Sequence, residues 1–390
     1  MKGRGATGVW LLAVGQTLGY ACLFYIFAAL ILFVEADLGW DKRLLAAGPM
    51  LAIGVTAVLS PLAGRLVDRG KGRILLTAGP LLGAVALAGL AAVTVPWAWL
   101  AAWACIGVAQ AMSLYDVCFA YLVRRYGAEA RPRIIKVTLV AGLASTLAFP
   151  AGAALGEVFG WRVAVLVAAG AMACLTLPLH GFGTSWIRAD TALADQPRVV
   201  AAAPAPMLRN PAFLAIAALL VLAGLNHWML IAFLVPLLTG LGIGLSTAIL
   251  AAALIGPAQT LGRLFLMTVE ARMGNRGALW LMLGSMIGAS TLLLAVGMAP
   301  LLVFAFAALQ GSAMGILTIL RPALVAETLG RAHFGAINGM LSIPALAASA
   351  MAPVLAASLL QGFGPYGLVT TCFALSLATL LAARAIRPAA

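Results

Sequence analysis

The chain has 390 residues, of which 64% are hydrophobic and 9% charged, with a formal net charge of +13. Soluble domains use roughly 45–50% apolar residues, so this composition excludes a single aqueous fold, and a mean hydropathy of +1.09 places the chain in a bilayer. Five cysteines, Cys22, Cys105, Cys118, Cys174 and Cys372, lie scattered in apolar segments without paired spacing. They indicate neither a disulfide framework nor a zinc site, so no metal or cofactor is implied.

The apolar segments reach the twenty or so residues needed to cross a bilayer as a helix, and no strand-like alternation is present. Glycine, proline and charge clusters punctuate the chain into twelve predicted spans: 7–34, 44–66, 74–95, 98–124, 134–157, 161–184, 210–238, 245–268, 276–297, 300–327, 335–361 and 365–386. The first is longer than a signal-peptide core and reads as a retained helix. With the N-terminus on the cytoplasmic side, 19 of the 24 Lys and Arg fall in loops and tails of that side. Only Lys42, Arg43 and Arg162 fall on the other. The asymmetry predicts cytoplasmic N- and C-termini in an inner membrane by the positive-inside rule. It also accounts for the basic charge through the bilayer, with no nucleic-acid partner.

The longest polar interruption, 185–209, is rich in Ala and Pro and reads as a central loop between an N-terminal half, 1–184, and a C-terminal half, 210–390. The halves echo each other. Pro61, Gly64 and Arg65 find counterparts in Pro257, Gly262 and Arg263, and "YLVRRYG" at Tyr121–Gly127 is echoed by "ALVAETLG" at Ala323–Gly330. The predicted fold is therefore all-α, with two pseudo-symmetric six-helix halves able to rock against each other. That is a transporter architecture with its site near the midplane.

One stretch concentrates charge, "PLAGRLVDRGKGR" at Pro61–Arg73. It is no P-loop, because five residues separate Gly64 from Gly70-Lys71 and Gly72 stands where the magnesium-binding hydroxyl belongs. At these residues the chain resembles the major facilitator superfamily, whose loop between helices two and three reads Gly-x-x-x-Asp-Arg-x-Gly-basic-basic. Gly64, Asp68, Arg69 and Arg73 match; Lys71 replaces the second glycine, and Gly72 replaces the first basic residue of the final pair. The resemblance implies a twelve-helix facilitator fold in which Gly64 permits close helix approach. It also implies that Asp68 caps or pairs toward helix eleven, and that Arg69 and Arg73 complete a charge network latching the two halves. A solvated positive-inside loop explains the basic residues but not a glycine four positions before a lone acid.

Ionisable residues at membrane depth are costly and mark function. Asp116 lies about 12 Å along a helix from Arg124, in the cytoplasmic half of span four, and Arg321 occupies a comparable depth in span ten. Since the superfamily lines its cavity with helices one, four, seven and ten, the resemblance implies that Asp116 and Arg321 gate or couple, with the proton as coupling ion. The competing reading pairs Asp116 with Arg69 or Arg73 and lets Arg321 snorkel. Arg263, with Gln259 one turn earlier, offers forked donors that suit a carboxylate. In "EADLGWDKR" and in this arginine the chain also resembles the monocarboxylate and oxalate/formate branch, although the accompanying acid of that branch is replaced by Gln259. Arg263 as a packing repeat of Arg65 is the alternative. Further cavity candidates are Gln16, Tyr20, Tyr25, Tyr115, Asn226, His227 and Gln310, while Asn338 reads as a helix–helix hydrogen bond.

The implied partners are a small, anionic substrate and the lipid bilayer, with the protein acting as a monomer. Proton-driven efflux of drug-like compounds is the alternative, disfavoured because "LAFPAGAALG" has Phe149 before Pro150, and Ala153 and Ala154 where an efflux signature ends in two glycines. An intramembrane enzyme lacks parts: there is no HExxH, no GxSxG and no paired acid. A sensor lacks a foldable extramembrane segment, and a helical channel fits the two-half repeat less well than alternating access does.

Overall fold

A computed structural model describes residues 4–191 and 205–386. Every regular element among them is helical. The first part of the chain runs α1 (Arg4–Tyr20), a π-turn (Ala21–Tyr25), α2 (Ile26–Leu38), α3 (Lys42–Leu66), a second π-turn (Val67–Lys71), α4 (Gly72–Ala91), α5 (Pro96–Ser113), α6 (Tyr115–Tyr126), α7 (Ala130–Ala141), α8 (Ala144–Ala171) and α9 (Leu177–Asp190). The remainder comprises α10 (Pro211–Ala232), α11 (Leu234–Gly240), α12 (Leu245–Ala295), α13 (Leu302–Thr328) and α14 (Phe334–Arg384). Among the described residues, eight helical stretches are long and apolar enough to cross a membrane.

Local chemistry sets the helix ends. Asp41 caps α3 by accepting from the Arg43 N–H at 2.7 Å, and Asn210 caps α10 by accepting from the Ala212 N–H at 2.9 Å, with Pro211 as the first helical residue. Three long helices turn sharply inside their run, α8 at Gly160 (φ 79°), α12 at Gly274 (φ 60°) and α14 at Gly364 (φ 69°). Only a residue without Cβ holds that conformation cheaply. Each glycine falls in the gap between two predicted spans. The predicted central loop is partly helical, since α9 continues to Asp190 and Ala205–Arg209 form a short 3-10 turn. Its residues 192–204 lie outside the described residues, as do Lys2, Arg198 and Arg387.

The described residues divide into two compact units. The first comprises residues up to 191 together with Arg331–Ile343, and the second comprises 205–330 and 344–386. The core of the first unit gathers Trp99, Trp103 and Trp161 around Leu23, Leu30 and Met172. The second is built on Phe306, Leu237, Leu293 and Cys372. Outside these cores, large apolar side chains face outward: Leu32 is 72% exposed, Val58 71% and Phe363 76%. Such a surface is incompatible with water and fits a lipid surround.

Candidate functional site

Within the first unit, the first three turns of α14 are held by two carboxylates. Gly64 of α3 meets the backbone of Gly335 so closely that a Cβ at Gly64 would collide with the Gly335 carbonyl. One turn earlier on α3, Ser60 and Pro61 leave room for Gly339 only because it has no Cβ; one there would stand 2.7 Å from the Pro61 Cα. This glycine-lined crossing brings Asp68 to the start of α14. Its two carboxylate oxygens accept from the Gly335 and Ala336 N–H groups, both at 2.9 Å. An acid at a helix N-terminus satisfies otherwise orphaned donors and complements the helix dipole. Asp68 lies in the turn between predicted spans two and three. Burial pushes its carboxyl above the usual carboxylate range, against the downward pull of the two N–H groups.

The charge network predicted for Arg69 and Arg73 takes a different form. Both side chains are exposed and make no ion pair among the described residues; Arg124 of α6 instead donates to the Asp68 carbonyl. Gly70, at φ 86°, supplies the left-handed turn that lets the chain fold back between α3 and α4.

Asp116, in the first turn of α6, is half-buried and accepts hydrogen bonds from α14 and α3. Its Oδ1 accepts from Asn338 Nδ2 at 3.1 Å and its Oδ2 from Ser342 Oγ at 2.5 Å, with Ser60 Oγ at 3.5 Å. Asn338 and Ser342 lie one turn apart on α14, so one carboxylate reads one face of that helix. Asp68 holds the beginning of the segment and Asp116 holds it one to two turns further on.

Above Asp116 the backbone is irregular twice. The predicted span 98–124 is broken at Leu114, whose ψ of −165° is extended. No glycine or proline marks the break. Gln16 of α1 donates to the Ser113 carbonyl at 2.6 Å, and Ser113 Oγ bonds back to the Ala109 carbonyl at 2.7 Å, so the broken ladder is satisfied from a neighbouring helix. The π-turn at Ala21–Tyr25 is the second irregularity. In an α-helix Tyr20 and Tyr25 would point about 140° apart. The wider turn brings their rings to 6.4 Å, and Tyr20 lies 4.5 Å from Tyr115, the first residue beyond the break. Phe149 joins Tyr25 at 6.2 Å, and Phe119 stacks on Tyr115 at 4.7 Å. Tyr20, Tyr25 and Tyr115 are all half-buried, and π-turns and broken helices recur at functional sites.

In the second unit, Arg263 is 5% exposed and Gln259, one turn earlier, is half-buried. A seam of small residues positions them. A Cβ on Gly262 would meet the Ser312 Cα at 2.6 Å, and one on Gly311 the Ile255 carbonyl at 2.5 Å. Gly315 is packed directly against the Gln259 backbone. Arg321 is half-buried on α13, directly before the internal Pro322.

Other predicted cavity residues are buried, Gln16 in the first unit and Asn226, His227 and Gln310 in the second. Asn226 donates to the Cys372 carbonyl at 2.8 Å and to Ser376 Oγ at 3.1 Å, and it accepts from Gln310 Nε2 at 3.0 Å. His227 is buried beside Trp228, at 5.4 Å between rings. Gln16 is wholly buried, and its Nε2 stands 3.4 Å from His180 Nε2. His180, which the sequence reading did not single out, lies 2.8 Å through Nδ1 from the Leu76 carbonyl; its ring occupies the space left by the missing Cβ of Gly15. A single His in an apolar helix carries no local signal of such a partner.

A sequence model of the Major Facilitator Superfamily matches residues 12–302. The chain belongs to the major facilitator superfamily. Members of the superfamily are multi-pass membrane transporters of small molecules rather than enzymes, and the helical fold with its apolar outer surface agrees. No curated protein matches the chain. Among the described residues of this facilitator no group of His, Cys, Asp and Glu is placed to hold a metal. Its polar chemistry is gathered at the carboxylate-held segment of α14, the aromatic cluster beside the Leu114 break, and the α12–α13 seam that carries Arg263.

Proposed function

We propose that this facilitator is a proton-coupled carrier for the uptake or exchange of a small, monocarboxylate-like organic anion, working by alternating access as a monomer in the inner membrane. The observation that carries the substrate class is Arg263, a guanidinium 5% exposed in an apolar helix. A charge so placed requires anionic or densely hydrogen-bonding company, and the guanidinium fork matches a carboxylate. Gln259 stands beside it on the same helix face. Tyr20, Tyr25 and Tyr115 offer rings and hydroxyls to an organic body, and Arg321 is the second cation assigned to the transport path. Twelve spans with both termini cytoplasmic, in halves 1–184 and 210–390, complete the reading. The turns at Gly160, Gly274 and Gly364 support the span count, and the 19-to-3 distribution of basic residues supports the orientation.

In this reading Asp116 couples the proton. A carboxylate accepts from Asn338 and Ser342, whereas a protonated carboxyl gives up part of that acceptor capacity and loosens its hold on α14. Efflux of drug-like compounds is the second reading, and the aromatic cluster favours it, because stacked rings also receive hydrophobic cations.

The test is a thermal-shift panel on the purified protein, followed by flux into proteoliposomes under an imposed pH gradient. Small carboxylates are expected to raise the melting temperature of the wild type and not of Arg263→Ala. Truncating one member of a buried charge pair costs roughly 2–5 kcal/mol, so half-saturation should rise at least about thirtyfold. Stabilisation by hydrophobic cations alone would overturn the anion reading in favour of efflux.

A further inference from the structure

A cleft of about 530 Å³ opens in the first unit where α1 begins, α6 ends, α7 begins and α9 ends. Its walls carry Tyr126, Arg133, Lys136 and Asp190, with Ala6 and Val9 of α1 as the apolar side. Each cation is steered by an aromatic ring. The Arg133 guanidinium lies 3.9 Å from the Tyr126 ring centroid, and the Lys136 ammonium 5.8 Å from that of Trp10. Arg133 is also paired with Glu129 at 3.1 Å. Lys136 makes no ion pair among the described residues, although Asp190 shares the cleft. The cleft lining sets two cations, Arg133 and Lys136, against the single carboxylate of Asp190, and that balance favours an anion.

Depth and surroundings identify the kind of anion. Lys136 is six residues into α7 and Trp10 six residues into α1, about 9 Å from each helix end at the helical rise. Predicted spans one and five begin at residues 7 and 134, so Trp10 and Lys136 fall within the first turn of each, where amphipathic aromatic side chains anchor helices at the headgroup boundary. The face of α1 that carries Trp10 continues one turn deeper with Val14, and both side chains are exposed. Exposed apolar residues on a bilayer-embedded helix meet acyl chains. Basic groups thus sit at headgroup level, directly above an apolar face.

We propose that this cleft binds the headgroup of a phospholipid. Arg133 and Lys136 take the phosphodiester, and Asp190 accepts a hydrogen bond from a headgroup that ends in a donor, the hydroxyls of phosphatidylglycerol or the ammonium of phosphatidylethanolamine. The guanidinium and ammonium are both matched to phosphate oxygens. Asp190 gives the site its selectivity, because phosphatidylcholine has no donor to offer it. The inference needs only that the protein is embedded in a bilayer and is independent of the transported substrate.

The test is native mass spectrometry of the intact protein released from detergent in the presence of phosphatidylglycerol, phosphatidylethanolamine, phosphatidylcholine or soluble glycerol phosphate. The wild type should retain the first two lipids in preference to phosphatidylcholine. Lys136→Gln should lower their retention about fivefold, the effect of one basic residue at a lipid surface, while Arg188→Gln, an exposed cation outside the cleft, should leave it unchanged. Lys136→Arg should restore binding, which separates loss of charge from loss of folding. Equal retention of phosphatidylcholine, or retention unaffected by Lys136→Gln, would overturn the proposal. Binding of glycerol phosphate alone with equal strength would identify a soluble phosphate ester as the occupant and overturn the lipid assignment.

Discussion

Gly64→Val is expected to abolish transport and to free the first turns of α14 from the first unit. The atoms that a Cβ at Gly64 would strike are the carbonyl oxygen, the carbonyl carbon and, at 2.8 Å, the nitrogen beyond Gly335, all of them backbone. No side chain can rotate away, so the two helices must separate. Overpacking at a tight crossing costs about 1–3 kcal/mol, and here separation also takes the Gly335 and Ala336 N–H groups away from Asp68. Gly54→Ala on the same helix is the control, since a Cβ there meets nothing within 4 Å, and it should fall within about 0.5 kcal/mol of the wild type. The direct readout is maleimide labelling of Ser342→Cys in a cysteine-free background. Position 342 is fully buried beside Asp116, so labelling should be slow in the parent and at least tenfold faster with Gly64→Val, corresponding to about 1.4 kcal/mol of opening. Unchanged labelling together with normal flux would show that the crossing tolerates a side chain and that the glycine is not required.

The parts of this arrangement that were legible in the sequence are those written in local chemistry. Composition and helix-length apolar runs indicate a helical membrane protein. The resemblance of Gly64 and Asp68 to the superfamily's loop motif implies a turn where a small residue and an acid act together. The break at Leu114 carries no such mark. It depends on Gln16, 97 positions away, supplying a donor to the Ser113 carbonyl, and a helix former such as Leu is overridden by that tertiary bond. The π-turn at Ala21–Tyr25 is equally silent, because "ACLFY" reads as continuous helix. The role of Arg124 was hidden for a different reason. Several basic residues crowd that side of the chain, and only the path of the turn through Gly70 decides that Arg124, and not Arg69 or Arg73, reaches the Asp68 carbonyl. Of the residues assigned to a cavity by polarity alone, Gln16 donates to the Ser113 carbonyl in the first unit, and Gln310 donates to Asn226 in the second. Polarity in an apolar helix signals the need for a partner and does not reveal whether that partner is a ligand or a helix.

Asp116→Asn is expected to separate coupling from carriage. The substitution preserves shape and leaves one carbonyl oxygen to accept from either Asn338 or Ser342, while the new amide group confronts the other donor. Ser342 and Ser60 can turn their hydroxyls to accept from it, and Asn338 can flip its amide, so the site remains hydrogen-bonded and the protein should fold. What is lost is the charge, and with it the strength of charge-assisted bonds, about 1.5–3 kcal/mol for each bond to an ionised group against about 1 kcal/mol for a neutral one. Uptake driven by an imposed pH gradient should fall at least tenfold, the consequence of about 1.4 kcal/mol, while exchange of substrate across equal pH continues. Asp116→Leu should be more damaging, because Ser60 and Ser342 can fall back on the Thr56 and Asn338 carbonyls but the charge-assisted bonds of Asp116 to Asn338 and Ser342 are lost outright, at about 1.5–3 kcal/mol each. Asn338→Ala and Ser342→Ala provide the complementary arm. They remove donors from the carboxylate without changing its charge, so they should retain pH-driven uptake. A pH dependence in Asp116→Asn indistinguishable from the wild type would remove Asp116 from the coupling path and leave it as a structural acceptor for Asn338 and Ser342 within the first unit.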